Sequence, residues 1–427
     1  MFMKRTSRLF FAFVLIIPFF LNAPAQTKQP LTEKDLEKFT YYFDVADGRF
    51  TGDGAKFLAD EVGRNQYILL GEYHGSLRIS EFTKALIPVF HEAGGRTFGL
   101  EVGPISSQKL TAFSQDPAKI LENLNSFNSK YLIARGPRDF TPIPFFSNVE
   151  DAEFLTEAAK RKWKLVGLDQ EFSFNYLPLI DRMYENLNAS GKSKIRSLYD
   201  QTIAAVKKSY ADDASGVKNQ YIAISESVEF NKFLDLASEK DARNKEIADA
   251  LRVTTGIYKN NANTIRKYYA ANSTRVAYMK KNLAAGFAKN VFDERRDKML
   301  LKMGAVHTGR GFSPLSLFEI GNTLSELADR NGNSSLHLNF GSRFYMEGGK
   351  EIDALENKTG FEYRFQSLLQ MGKRDQWTVI DLRPLREAVF YHRRYSMDDI
   401  VLEIFKNHDL FVIPKLEKDP TPNYQKK

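Results

Sequence analysis

Short apolar runs alternate with amphipathic stretches along most of the chain, and these runs have the length of buried strands. Two of them span residues 67–70 and 97–100. Between them apolar residues recur at helical spacing, and Gly94-Gly95 supplies a helix stop. Because a strand, a helix and a second strand fit within about thirty residues, as in a βαβ unit, the two strands are predicted to be parallel.

The pattern continues to the end of the chain. Further strands are predicted at 164–168, 300–306, 336–340, 378–382 and 410–413. Residues 106–149 are rich in Pro, Asn and Ser, which indicates a helix followed by a long irregular loop. Residues 176–297 show helical periodicity and few strand signals. We therefore predict the α/β class: a mostly parallel sheet flanked by helices, with a helical insertion at 176–297.

The first 25 residues differ in kind from the remainder. They begin with the basic residues Lys4, Arg5 and Arg8. An unbroken apolar run follows, and small residues around Ala25 precede Gln26. The run would rise about 20 Å as a helix, less than the roughly 30 Å core of a bilayer. This predicts a signal peptide at 1–25, cleaved near Ala25, and an exported protein, periplasmic or secreted. The alternative is an uncleaved anchor.

We expect the mature chain, 26–427, to be a single domain without a membrane span. Its composition is typical of a globular protein, with 43% hydrophobic and 27% charged residues. Cysteine is absent, which excludes disulfides, zinc ribbons and a thiol nucleophile. The formal charge of +8 falls to +5 when the three basic residues of the signal are removed. A basic and aromatic stretch at 259–281 has helical spacing typical of a solvated face, so no nucleic-acid partner is predicted.

Ionisable residues directly follow four of the predicted strands. These residues are Glu72 and His74, Glu101, Asp169 with Glu171, and His307. Because the carboxyl ends of parallel strands share one edge of a sheet, we expect the side chains to converge there. Helix capping is the structural alternative for each single carboxylate.

Two kinds of chemistry fit such a cluster. A neutral imidazole oriented by a carboxylate can accept a proton from water. The same side chains, Glu72, His74, Glu101 and His307, could instead hold a divalent metal that acidifies its bound water. The sequence leaves both open. His392 and His408 are predicted to be surface residues, and no serine-nucleophile, Walker or dinucleotide motif is present.

The segment 68–81, ILLGEYHGSLRISE, resembles the signature of the erythromycin esterase family and, more distantly, of the haem-uptake ChaN and Tiki superfamily. Similar segments follow in the family's order over nearly the whole mature chain. They are Phe98-Gly99-Leu100-Glu101, Val166-Gly167-Leu168-Asp169, Arg275 with Met279, Asn282 and Leu283, Met303 to His307, and Val379 to Arg383.

Three departures from the esterase pattern stand out. Glu72 and His74 are two residues apart, a spacing closer to that of the wider superfamily. Glu81 lies farther from His74 than the corresponding esterase glutamate does. Gly304 occupies the position of a family histidine, so one imidazole is missing.

The resemblance implies a hydrolase that cleaves an ester, lactone or amide of a small-molecule substrate without a required cofactor. His74 would be the general base, with Glu72 and Glu101 orienting it or holding charge. His307 and Arg275 would contact substrate or the developing oxyanion. Further substrate-binding candidates are Arg310, Asp169 and Glu171.

The wider superfamily implies two alternatives. One is a ChaN-like protein that binds haem or another iron-bearing ligand without turnover, with Tyr73 as an axial ligand. The other is a Tiki-like peptidase that depends on a divalent metal. The sequence does not determine the oligomeric state.

Overall fold

The computed structural model describes residues 28–135, 138–262, 265–289 and 291–426. The predicted signal peptide, 1–25, lies outside the described residues. Within them, no helix combines the length and the apolar character needed to cross a membrane.

Nine strands of the described residues form the main sheet. They are β1 (Thr40–Ala46), β2 (Arg49–Thr51), β3 (Tyr67–Glu72), β4 (Gly95–Leu100), β5 (Lys164–Gly167), β6 (Lys298–Gly304), β7 (Ser335–Phe340), β8 (Trp377–Asp381) and β9 (Leu410–Ile413). Their order across the sheet is β2-β1-β8-β9-β7-β3-β6-β4-β5. The strands from β9 to β5 are all parallel, whereas β8, β1 and β2 add antiparallel pairs at one edge. The predicted α/β class with a mostly parallel sheet is confirmed.

Helices precede and follow these strands. They are α1 (Asp53–Arg64), α2 (Leu77–Glu92), α3 (Pro104–Phe113), α4 (Ile120–Tyr131), α5 (Val149–Lys160), α6 (Tyr176–Glu185), α7 (Ala189–Ala214), α8 (Gln220–Glu226), α9 (Val228–Lys240), α10 (Ala242–Asn261), α11 (Ile265–Ala288), α12 (Ile320–Arg330) and α13 (Asp399–Asn407). One-turn helices lie at Glu33–Leu36, Ala305–Thr308 and Gln366–Leu369. Small two-stranded sheets pair Gln29–Pro30 with Tyr395–Ser396, Ile133–Arg135 with Arg138–Phe140, and Phe344–Glu347 with Lys350–Asp353.

The central strand β3 shows why the sheet is covered on both faces. All six of its residues are buried. Ile68 and Leu70 belong to the apolar core shared with α1, α2 and α5. Tyr67 and Leu69 point to the opposite face and pack in the core that contains residues of α11 and α12. Alternate residues of a strand face opposite sides, so an unbroken apolar run requires helices on both sides.

Helices α6 to α11 lie between Tyr176 and Ala288, and many side chains of α6 to α10 pack in a core of their own. α11 packs against α10 on one side and contributes Met279 and Leu283 to the core on the sheet. This double packing fixes α11 across the carboxyl ends of β4 and β5. The side chain of Arg275, one turn before Met279, is thereby brought to the edge of the sheet.

Two predictions of local structure are wrong. The strand predicted at 300–306 ends at Gly304, because the backbone turns there into the one-turn helix Ala305–Thr308. Residues 106–149 hold most of α3, all of α4 and a short hairpin instead of one helix and an irregular loop. The periodicity of α4 is masked by Asn and Ser residues between its apolar ones, and Asn128 is itself buried. The edge strands β1 and β2 were not predicted.

Candidate active site

Six of the eight predicted site residues meet at the carboxyl edge of the parallel strands, and five of them lie at or just after the ends of these strands. Glu72 is the last residue of β3, and His74 lies in the turn that follows. Glu101 and Asp169 come after β4 and β5, and His307 lies on the one-turn helix after β6. We call these five residues, with Arg275 and Lys302, the edge cluster.

Glu72 joins His74 to a buried lysine. His74 Nδ1 lies 3.2 Å from Glu72 Oε1, and the other carboxylate oxygen, Oε2, accepts a hydrogen bond from Lys302 Nζ. The side chain of His74 is 40% exposed, whereas that of Glu72 is 4% exposed. If Nδ1 carries the proton that binds Glu72, Nε2 is left with a free lone pair.

The charges around His74 favour its protonated form. Burial lowers the pKa of His74, but the hydrogen bond to Glu72 and the charge of Glu101 outweigh it, so that the pKa is raised above the usual 6.5. Burial also raises the pKa of Glu72, and here Lys302 and His74 more than offset it. The net pKa of Glu72 is lowered, and this carboxylate is therefore ionised at neutral pH.

Glu101 lies between the two histidines. Its Oε2 is 3.9 Å from His74 Nε2, and its Oε1 is 3.7 Å from His307 Nε2. The carboxylate also accepts hydrogen bonds from Arg275 Nη2 at 2.8 Å and from the Gly304 N–H at 2.6 Å. Burial raises the pKa of Glu101, but the charges of His307, Arg275 and His74 lower it by more. The net pKa of Glu101 is therefore below its usual value.

The Nδ1 side of the His307 ring, opposite the nitrogen that faces Glu101, is held by Glu319. Its Nδ1 lies 2.9 Å from Glu319 Oε2, and Glu319 also accepts a hydrogen bond from Ser313 Oγ at 3.2 Å. Both side chains of the His307–Glu319 pair are buried. The ring is thus fixed with Nε2 directed at Glu101.

Asp169 positions Arg275. Arg275 Nε donates to Asp169 Oδ1 at 2.9 Å, and Nη2 donates to Asp169 Oδ2. Asn282, two turns farther along α11, donates to the Leu168 carbonyl at 2.9 Å and ties the helix to the loop after β5. The guanidinium therefore sits in a fixed fork between two carboxylates, a geometry that suits arginine better than lysine.

Gly304 makes room for the contact between His74 and Glu101. A Cβ added to Gly304 would lie 3.1 Å from His74 Nε2 and 3.6 Å from Glu101 Oε2. On its other side, the His74 ring stacks on Phe145 with centroids 4.0 Å apart. The absence of a side chain at Gly304 thus leaves the space into which the His74 ring fits.

Two predicted substrate-binding residues lie outside the edge cluster. Glu171 accepts hydrogen bonds from the Ile105 N–H at 2.7 Å and from Ser106 Oγ at 2.5 Å, and so caps the start of α3. Arg310 donates from Nη1 and Nη2 to the two oxygens of Asp409, both at 2.6 Å. Both charged groups are bound to these partners, and their role in substrate binding stays a prediction.

Some residues of the site were not found from the sequence. Lys302 and Glu319 are buried partners of Glu72 and His307. A lysine between Leu301 and Met303 in an apolar strand signals a buried ion pair, and that signal was available. Glu319 follows a loop and gives no such signal. The surface prediction holds for His392 but is wrong for His408, which is buried between α13 and β9.

The edge cluster does not fit a metal ion. Among the described residues, no group of three or more His, Asp or Glu side chains is placed to hold one. Glu72 and Glu101 already pair with Lys302 and Arg275, and these positive charges oppose a second cation.

Tyr73 does not fit an axial haem ligand. Its hydroxyl donates to Glu417 Oε2 at 2.8 Å. Burial, followed by the charge of Glu417, raises the pKa of Tyr73 well above its usual value. The phenolate that would bind iron is therefore disfavoured at neutral pH.

No protein-family model matches the chain, and no curated protein does. Solved structures do match. An erythromycin esterase mutant, EreC in its open conformation, is 14% identical with a TM-score of 0.51, over 86% of this chain and 94% of that one. A Bacillus cereus protein and a succinoglycan biosynthesis protein are each 14% identical with TM-scores of 0.49, over 90% and 91% of this chain and 97% of their own. The chain therefore shares the fold of the erythromycin esterase structure.

Proposed function

We propose that this protein is an exported hydrolase of the erythromycin esterase-like class, which cleaves an ester, lactone or amide by means of water activated at His74. One observation carries the proposal: a half-exposed imidazole has one nitrogen bound to a buried carboxylate and the other directed into the edge cluster. General-base catalysis requires this arrangement of a free nitrogen and an oriented ring.

In the proposed reaction, His74 Nε2 accepts a proton from water as the water oxygen attacks the substrate carbonyl carbon. Glu72 holds Nδ1–H and stabilises the imidazolium that forms. Lys302 keeps Glu72 ionised. When the tetrahedral intermediate collapses, the bond to the leaving oxygen or nitrogen breaks, and that atom takes the proton back from Nε2.

Arg275 is our candidate for the group that meets the negative charge of the intermediate. The hydrogen bonds described above use its Nε and Nη2, and we assign Nη1 to the oxyanion. His307, held by Glu319, contributes the second polar group on this side. Because Gly304 provides no imidazole, the proposal has one base rather than two.

Hydrolysis of a panel of esters, lactones and peptides by the mature chain tests the proposal. We expect turnover that is lost in His74→Ala and unaffected by a chelator. His392→Ala is the matched control, since His392 is 63% exposed and lies outside the edge cluster. Turnover lost on chelation would favour a metal-dependent peptidase, and no turnover on any substrate by a folded chain would refute the hydrolase.

Export rests on the sequence of residues 1–25, and we extend the proposal to it. The mature chain, 26–427, would be a single domain with the helical segment inserted. The expected N-terminus after expression in a secreting host is Gln26. Mass spectrometry of the purified chain checks this, and an intact N-terminus in the cytoplasmic fraction would contradict it.

A further inference from the structure

A cavity of about 500 Å³ lies beside the edge cluster and meets it at Glu72. This volume falls within the range of about 300–1,000 Å³ that small-molecule sites occupy. Most of its lining is apolar or aromatic, including Val306, Phe340, Tyr345, Phe365, Ile400 and Ile404. Such a lining favours an apolar ligand group.

The mouth of the cavity is also apolar. Phe361, on the lining, is 58% exposed, and Val306 is exposed as well. Phe312 and Phe318 are exposed on the loop whose Ser313 and Pro314 line the cavity, and their rings contact each other with centroids 5.4 Å apart. Grouped exposed aromatic residues mark binding surfaces more often than single ones do.

One buried polar side chain on the lining has no well-formed hydrogen bond. His408 is 5% exposed, and neither of its ring nitrogens meets hydrogen-bond geometry with a described residue, although the Ala305 carbonyl lies close enough to one of them to raise its pKa. Burial lowers the pKa of His408 to about 4, and Arg310 lowers it as well, against the opposing effects of Asp409 and the Ala305 carbonyl. At neutral pH the ring is therefore uncharged, with one donor and one acceptor.

The charges on the lining exclude an anionic ligand. Four carboxylates border the cavity, those of Glu72, Glu362, Glu403 and Glu417. Arg310 is the cation on this lining, and both of its terminal nitrogens are bound to Asp409. Glu72 and Glu403 are paired with Lys302 and Lys406, which lie off the lining, so a carboxylate ligand would meet carboxylates and no available cation there.

We propose that this cavity binds a neutral aromatic or alicyclic group bearing one hydroxyl or carbonyl, which hydrogen-bonds to His408. Within the proposed hydrolase, this group is the apolar portion of the ester, lactone or amide substrate, bound next to Glu72. The binding itself does not depend on catalysis, and only the identification of the ligand as substrate rests on the proposed function.

Calorimetric titration with 2-naphthol, 2-methylnaphthalene and 2-naphthoate tests the binding. The three probes share a ring system and differ in the hydroxyl, the absence of a polar group and the negative charge. We expect 2-naphthol to bind about three- to tenfold more tightly than 2-methylnaphthalene, the effect of one hydrogen bond. 2-Naphthoate should bind most weakly. Equal affinities, or the anion binding most tightly, would overturn the proposal.

Two variants locate the site. His408→Leu should abolish the preference for 2-naphthol while 2-methylnaphthalene keeps its affinity within about twofold, since the lost interaction is a single hydrogen bond. Ile400→Trp should weaken both ligands more than about tenfold by filling the cavity. Val228→Trp, also at the start of a helix but exposed and outside the cavity, is the matched control. Unchanged binding in both cavity variants would place the ligand elsewhere.

Hydrolysis of 2-naphthyl acetate separates this inference from the proposed function. Binding of 2-naphthol without turnover would leave the cavity assignment standing and count against the hydrolase. Turnover lost in His74→Ala, with no binding of 2-naphthol, would support the hydrolase and overturn the cavity assignment.

Discussion

Two clusters in this protein both combine histidine, arginine and carboxylate side chains. They differ in whether the histidine keeps a ring nitrogen that is not hydrogen-bonded. The edge cluster lies at the carboxyl ends of the parallel strands. The second, which we call the Arg310 network, joins Arg310, Asp409, His337 and Ser335 at the amino end of β9. Asp409 accepts hydrogen bonds from the Arg310 guanidinium and, at 2.9 Å, from the His337 N–H.

The Arg310 network is closed. His337 Nδ1 lies 2.6 Å from the Thr308 carbonyl, and Nε2 lies 2.9 Å from Ser335 Oγ. Burial, and next the charge of Arg310, hold the pKa of His337 well below its usual value. Every polar atom of this imidazole has a partner, so none is left for a ligand.

The edge cluster is open by comparison. His74 has one nitrogen in a hydrogen bond and the other 3.9 Å from Glu101, and its ring is 40% exposed. The difference teaches that residue type alone does not single out His74 as the candidate base. Its free nitrogen, its access to solvent and its raised pKa favour it.

The largest expected effect comes from His74→Gln. Loss of the base should reduce kcat/KM about 10²- to 10⁴-fold. Because the ring is half-exposed and makes one hydrogen bond, the melting temperature should change little. Kinetics on a hydrolysed ester, with thermal unfolding of the same samples, measure both.

His337→Gln is the matched substitution in the closed network. It should lower the free energy of unfolding by about 1–3 kcal/mol, because buried hydrogen bonds are lost. The folded fraction should keep kcat/KM near that of the wild type. Equal losses of kcat/KM in His74→Gln and His337→Gln would contradict the assignment of different roles to the two clusters.

Asp409→Asn tests the closed network through stability alone. The change leaves the Arg310 charge without its carboxylate. Removing one partner of a buried ion pair costs about 3–5 kcal/mol, and since Arg310 is 26% exposed we expect about 3 kcal/mol, the lower end of that range. Urea unfolding measures it, and a loss below about 0.5 kcal/mol would show that the pair contributes no more than a surface one.

Gly304→Ala tests whether the position of the His74 ring in the edge cluster matters for activity. The new Cβ, 3.1 Å from His74 Nε2, should displace the ring by a few tenths of an ångström. We expect kcat/KM to fall about tenfold, since small misplacements of catalytic groups are costly. Gly256→Ala is the control, because nothing lies within 4 Å of that position in α10. A Gly304→Ala enzyme with unchanged kcat/KM would show that the approach of His74 to Glu101 is dispensable.

The smallest expected effect is a change in the pKa of His74. The hydrogen bond that His74 Nδ1–H donates to Glu72 raises the pKa of His74, so Glu72→Gln should lower that pKa. Proton NMR of the imidazole checks the direction. Glu387→Gln removes the partner of the exposed His392 and should leave His74 unchanged. A raised His74 pKa in Glu72→Gln would contradict the assigned role of this carboxylate.

Much of the fold could be predicted from the sequence, because β3 is a nearly continuous apolar run, the buried strands β4 and β7 carry apolar residues at short spacing, and amphipathic stretches lie between the strands. The positions of Glu72, Glu101 and His307 at or after the ends of β3, β4 and β6 also predicted that these residues would share one edge of the sheet. The strands β1 and β2 escaped prediction, since their half-exposed residues lack a continuous apolar pattern.

The pairing of side chains could not be predicted. Arg275 and Arg310 look alike in sequence, yet one reaches the edge cluster and the other is bound to a carboxylate 99 residues away. Glu171 and Glu101 each follow a strand by a few residues, and one caps α3 while the other faces two histidines. Such outcomes depend on distant partners that local pattern does not encode.

The central claim is that His74 in its neutral form activates water. The pH dependence of kcat/KM, in the wild type and in His74→Ala, tests it most directly. A base must be unprotonated, and the pKa of His74 is raised, so the wild-type rate should fall with decreasing pH through a pKa above 6.5. The residual rate of His74→Ala should lack this limb. The same limb persisting in His74→Ala would assign the base to another group and contradict the account.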